Sequence, residues 1–93
     1  MTDSVVRVTL RPGAVTWRHI DTETVLLDLR ASEYLTINGS GSLLWSELAA
    51  GTTRALLIQR LLTAYGISET QAAADIDAFL ASCDERGYLE KST

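Results

Sequence analysis

The sequence predicts an α+β fold, a three-stranded antiparallel sheet followed by three helices. Three observations carry that expectation. Apolar residues recur with a period of two as far as about Ile37, then with helical spacing from about Ser40 to Arg86. Turn-forming residues separate the first half into short runs, whereas capping residues and glycines divide the second. With 93 residues, 46% of them apolar, and no biased tract, the chain has material for one small core. Residues 1–93 are therefore expected to form a single domain, with strands preceding helices and short connections between them.

The run Val5-Val6-Arg7-Val8-Thr9-Leu10 is rich in β-branched residues and is either an initial strand or an extended arm, so residues 1–13 stand somewhat apart. Arg11-Pro12-Gly13 punctuates it, because proline fixes φ and glycine permits a turn. Ala14 to Ile20 is the first strand of the sheet, followed by a polar turn at Asp21-Thr22. Val25-Leu26-Leu27-Asp28-Leu29 is the strongest strand, with Val25, Leu27 and Leu29 on one face. Arg30-Ala31-Ser32 makes a hairpin connection to the third strand, Glu33-Tyr34-Leu35-Thr36-Ile37. There Leu35 and Ile37 share one face, and Tyr34 and Thr36 share the other.

At Asn38-Gly39-Ser40-Gly41 the period changes. Asn38 and Ser40 are both candidate caps for a first helix carrying Leu43, Leu44, Trp45 and Leu48, which Gly51 ends. Thr53 caps a second helix with Leu57, Leu61 and Tyr65 at helical spacing and Gly66 just past its end. Ser68 and Gln71 have the spacing of a capping box for the third and longest helix. Its apolar face holds Ala72, Ile76, Phe79, Leu80 and Cys83, and Gly87 stops it before Tyr88-Leu89 folds back onto the core. A tight turn near Gly66 makes the last two helices a helix-turn-helix, and the attached sheet gives a winged helix-turn-helix-like architecture.

Composition excludes several function classes. One cysteine rules out an internal disulfide, and with one histidine it cannot form a zinc site of the usual Cys/His kind. No metal and no cofactor is expected. The N-terminus lacks the pattern of a signal peptide, and no run approaches the roughly 18 apolar residues of a membrane-spanning helix, so a cytoplasmic protein is expected. No serine sits in a nucleophile elbow and no phosphate-binding loop carries its lysine. Cys83 and His19 are a conceivable nucleophile and base, but Cys83 lies on an apolar stripe and reads as a buried thiol. Asp75 and Asp77 point about 200° apart on a helix, so they are not a catalytic pair. Trp45, Tyr65 and Phe79 read mainly as core. The chain is not expected to be an enzyme.

A winged-helix outline raises DNA binding, and charge argues against it. Net charge is −4, from twelve carboxylates against eight basic residues. The third helix alone carries Glu69, Asp75, Asp77, Asp84 and Glu85 against Arg86, a sum of −5 and +1, or −4. A phosphate-lined groove would repel it. The other use of such a fold is strand addition, in which the third strand offers its open edge to an extended peptide. About four added backbone hydrogen bonds contribute roughly 0.5–1.5 kcal/mol each. Association and ordering cost on the order of 4–15 kcal/mol. Selectivity must then come from apolar side chains entering a groove, at about 1.5–3 kcal/mol each.

The residues also resemble a known family. Leu26-Leu27-Asp28, Tyr34, Ile37-Asn38, Gly41 and Leu44-Trp45 match the spacing of PqqD-like proteins, as do Gly51-Thr52, Asp75-Ile76, Phe79-Leu80 and Gly87-Tyr88-Leu89. The resemblance covers about residues 14 to 89. It is nearest to the stand-alone recognition elements of lasso-peptide pathways, one group among those that serve RiPPs (ribosomally made, post-translationally modified peptides). Where the pyrroloquinoline quinone protein has a proline-containing turn before its third strand, this chain has Arg30-Ala31-Ser32-Glu33; where that protein has an alanine-rich start to its first helix, this chain has Trp45.

The resemblance implies that the leader of a precursor peptide docks antiparallel to the third strand, beside the third helix. A separate cysteine protease then removes the leader, and a separate ATP-dependent cyclase closes the ring. The expected peptide-binding residues are Glu33, Tyr34, Leu35, Thr36 and Ile37 on the strand. On the helix, the flank with Asp75, Phe79, Ser82 and Arg86 is favoured over the flank with Ala73, Asp77, Ala81 and Asp84. Nucleic acid and membrane are not expected partners. A winged-helix DNA-binding regulator, a structural subunit of a larger enzyme, and a recognition subunit for another peptide-modifying enzyme such as a radical SAM protein stand as alternatives.

Overall fold

The computed structural model describes residues 6–92. In chain order the elements are β1 (Arg7–Leu10), β2 (Val15–Ile20), β3 (Glu23–Asp28) and β4 (Glu33–Asn38), then α1 (Ser40–Ala50) and the short β5 (Thr52–Thr53), and finally α2 (Arg54–Tyr65), α3 (Glu69–Glu85) and β6 (Leu89–Ser92). The expected sheet is β2-β3-β4, antiparallel throughout, and the three expected helices follow it. A second small sheet, ordered β5-β1-β6, is an addition to the expected architecture. The initial segment is thus a strand rather than an arm, and it pairs with the C-terminal strand from Arg7 opposite Ser92 to Leu10 opposite Leu89. Val5, counted in that segment, lies outside the described residues.

Two apolar clusters make the core. In the first, Val8, Leu26, Trp45, Leu48, Cys83, Tyr88 and Leu89 join both sheets to α1 and α3. The second packs Leu44, Leu57, Leu61, Ala72 and Ile76 between the three helices. Phe79 and Leu80 border both, so α3 is the element that ties the clusters together.

Local chemistry explains the element ends, with some departures from expectation. Thr53 caps α2 by accepting the Leu56 N–H at 3.2 Å, and Gly66 closes it in the left-handed region. Ser68 caps α3 by accepting the Gln71 N–H at 3.1 Å, but the reciprocal half of the capping box is missing. Gln71 turns its side chain along the helix to donate to Asp75 Oδ1 at 2.8 Å instead. Neither Asn38 nor Ser40 caps α1. Gly39 holds that position at φ 57, and no side chain serves the helix start. Tyr65 is 49% exposed rather than core, because it falls in the last turn of α2, beyond the buried Leu57 and Leu61.

On β3, Val25 and Leu27 do share a face, but it is the half-buried outer one. The core side is Thr24, Leu26 and Asp28. Its buried polar groups are satisfied. Thr24 Oγ1 is hydrogen-bonded to both His19 Nδ1 and Ser42 Oγ, while His19 Nε2 meets Ser46 Oγ at 2.8 Å. The network fastens the β2-β3 hairpin onto α1.

Candidate functional site

The hairpin that presents β4 is shaped by Asp28. Its Oδ1 accepts the N–H groups of Arg30 and Ala31, both at 3.0 Å, which fixes the turn. Ser32 then takes φ 53 to bring the chain back. Oδ2 accepts the hydroxyl of Tyr88 at 2.7 Å, which ties the chain just beyond α3 to the same turn. The Ala31 amide, and after it the Tyr88 hydroxyl, hold the Asp28 carboxyl below its ordinary range. Burial, and after it Asp28, push the Tyr88 phenol up.

Beyond that turn β4 is an edge strand. Among the described residues its one strand partner is β3, in register from Glu23 opposite Asn38 to Asp28 opposite Glu33. Every second residue of an antiparallel edge strand turns its N–H and C=O outward, so β4 offers a row of open backbone groups.

Along the inner side of that edge runs a groove of about 130 Å³. Leu35 and Ile37 form its strand wall, and Phe79, Ser82, Cys83 and Arg86 form its helix wall. Leu26, Trp45 and Tyr88 make the floor. At one end Arg86 Nη1 lies 3.4 Å from Glu33 Oε1, a pair about half exposed and so of small energetic weight. Tyr88, and after it Glu33, raise the Arg86 guanidinium further above its ordinary value.

Of the residues singled out in the sequence, Leu35, Ile37, Phe79, Ser82 and Arg86 come together in the groove, and Glu33 closes its end through Arg86. Tyr34 and Thr36 point to the opposite face of the sheet. Tyr34 is 73% exposed and borders a wider hollow of about 290 Å³ with Thr16, Arg18, Val25 and Leu27. That hollow is floored by a single sheet and lacks a facing helix, so it offers no cleft for an extended chain. Asp75 lies outside the groove lining, exposed and bonded to Gln71. The other flank of α3 is engaged elsewhere, with Asp77 taking Arg54 in a two-point contact at 2.7 and 3.0 Å and Asp84 meeting Lys91 at 3.4 Å.

Sequence reasoning did not assign Leu26, Trp45, Cys83 and Tyr88 to the groove floor and wall. Trp45, Cys83 and Tyr88 read as core and Leu26 does not, since alternation sets it opposite Val25, Leu27 and Leu29; all four are core. Burial pushes the Cys83 thiol up to about 11, and both ring nitrogens of His19 are hydrogen-bonded to Thr24 and Ser46, so the two do not form a nucleophile and base. Among the described residues no group of His, Cys, Asp and Glu side chains is arranged to hold a metal. Nor is any described helix long and apolar enough to cross a membrane.

The sequence model of the family described as Coenzyme PQQ synthesis protein D (PqqD) matches residues 23–89, from the start of β3 to the start of β6. The chain belongs to the PqqD family. Two solved structures share the fold of this PqqD-family chain. TbiB1 in complex with the TbiA(beta) leader peptide is 28% identical, with a TM-score of 0.81 over 88% of this chain and 94% of that one. A lasso peptide synthetase B1 complexed with the leader peptide is 32% identical, with a TM-score of 0.76 over 89% of this chain and 96% of that one. No curated protein matches the sequence. The PqqD match leaves β1 and β2 outside it, while the solved structures extend over more of the chain.

Proposed function

We propose that this PqqD-family chain is a stand-alone RiPP recognition element that binds the leader of a precursor peptide, of the lasso kind, and delivers it to a separate leader peptidase and cyclase. The leader adds as a strand antiparallel to β4, in the groove beside α3. The observation that carries this reading is the unpaired edge of β4 lying along an apolar groove. Neither feature suffices alone. Open backbone groups bind any extended chain weakly, and an apolar groove without a strand edge does not fix register. The two similar structures, each holding a leader peptide, support the same use here.

Recognition and delivery need no catalytic group on this chain, so in this reading the protease and cyclase chemistry belongs to partner proteins. Selectivity rests on Leu35, Ile37 and Phe79, with Glu33, Ser82 and Arg86 at the rim. Asp75, Tyr34 and Thr36 lie outside the groove and contribute through neighbouring backbone or not at all.

The test is a titration of a labelled lasso-precursor leader peptide that wild type binds, into wild type and Leu35→Glu. Removing one apolar anchor and placing a charge on the groove wall is expected to weaken binding at least about tenfold. Thermal unfolding followed by circular dichroism should move much less, since Leu35 is only half-buried. Unchanged affinity in the folded variant rejects the groove as the site.

A further inference from the structure

We infer that the indole N–H of Trp45 reads the bound peptide, donating a hydrogen bond to a side-chain oxygen of an Asn, Gln, Ser or Thr carried on an inward-facing position. This deepens the peptide-groove reading and rests on it. Trp45 is 1% exposed and forms part of the groove floor. Among the described residues its Nε1 is the buried side-chain nitrogen or oxygen that has no hydrogen-bond partner. An indole can only donate, and a buried donor left unmade costs more than an ordinary bond returns.

The groove as it stands does not supply the acceptor. Leu26, Leu35, Ile37 and Phe79 are apolar, Arg86 at the rim is itself a donor, the Tyr88 hydroxyl is engaged with Asp28, and neither Ser82 nor Cys83 is bonded to the indole. In this reading the acceptor arrives with the ligand, on a side chain. The backbone of a strand added to β4 lies about 4.8 Å further out from that edge strand, whereas Trp45 packs below the sheet with Leu26 of the middle strand. A strand's alternate side chains point to the inner face, so one of them is directed at the floor. The N–H is covered in the free protein, and the half-buried ring of Phe79 borders the same space, so docking includes a side-chain rotation there. A polar side chain in an otherwise apolar groove gives sharp selectivity, because an apolar substitute leaves the buried donor unpaired.

The experiment uses the whole chain and peptides selected on it from a phage-displayed random library. Selected peptides should share an oxygen-bearing residue at one position, with apolar residues two places away. Replacing a threonine by valine there should weaken binding to wild type about fivefold to tenfold, and to Trp45→Phe by less than about twofold. In ¹⁵N-labelled wild type the Trp45 indole resonance should move downfield and exchange more slowly at saturation, with Trp17, the other tryptophan, as internal control. That measurement needs no variant and stands even if Trp45→Phe fails to fold.

A Trp45 resonance unmoved in the saturated complex leaves its N–H among its present neighbours, such as the ring of Tyr88 whose centroid lies 5.9 Å from that of Trp45, and overturns the inference. So does an equal valine penalty on both proteins. Failure of the library and of lasso-precursor leader peptides to bind at all would instead remove the peptide-site reading beneath it.

Discussion

Tyr88 and Asp28 form the bond on which the geometry of the groove depends most directly. One carboxylate fixes the β3-β4 turn through two backbone amides and anchors the phenol that lies on the groove floor. Tyr88→Phe keeps the ring but leaves Asp28 Oδ2 without its partner in a buried setting, so a loss of about 1–3 kcal/mol is expected in urea unfolding at neutral pH. The sign of the pH dependence follows from the lowered carboxyl. Folding favours the charged form of Asp28, so its contribution is complete above the ordinary value of 3.8 and fades as pH falls through the lower folded value. The gap between wild type and Tyr88→Phe should therefore narrow in acid. Cys83 gives a second residue-level expectation. Held buried with its thiol pushed up to about 11, it should react slowly with a disulfide reagent in the native protein and readily in denaturant. The stripe Ala72, Ile76, Cys83 makes that burial legible in the sequence. Asp28 was not legible in the same way, because a carboxylate in an alternating strand reads as solvent-facing and its phenol partner is 60 residues away.

β4 and α3 owe their visibility in the sequence to strong local patterns. Strict alternation over Glu33–Ile37 fixes which side chains share a face, whereas the helical period leaves two flanks of α3 open, and the favoured one is chosen for its aromatic and charged residues. Phe79, Ser82 and Arg86 follow that flank, whereas Asp75, one helical turn before Phe79, lies beyond the groove lining. Helical spacing gives a direction around the axis and says nothing of how far along the axis a cleft extends. The caps show the same limit: Thr53 and Ser68 act as their spacing suggests, but at the start of α1 a glycine at positive φ replaces both polar candidates. If strand addition is the binding mode, hydrogen exchange will report it at this scale. Alternate amides of β4 should exchange freely in the free protein and become protected with leader bound, while those of β3, paired on both sides, change little.

Across the whole molecule, charge and topology bear on which partners the chain is suited to. The net −4 and the acidic α3 oppose a polyanion, although two of those carboxylates are paired internally, Asp77 with Arg54 and Asp84 with Lys91. Anchors in the groove are apolar, so leader affinity measured by titration should vary little between low and moderate ionic strength. A steep fall with salt would mark a charge-driven partner instead. The second sheet escaped sequence reasoning because its three strands are short and come from opposite ends and the middle of the chain, and no local periodicity encodes such pairing. Its arrangement has a practical reach. Arg7 and Ser92 stand opposite each other, and neither β1 nor β6 lines the groove. A unit cut to residues 7–92 can be spliced into a surface loop of an unrelated carrier, or Arg7 and Ser92 joined by a brief linker, with the docking cleft left untouched.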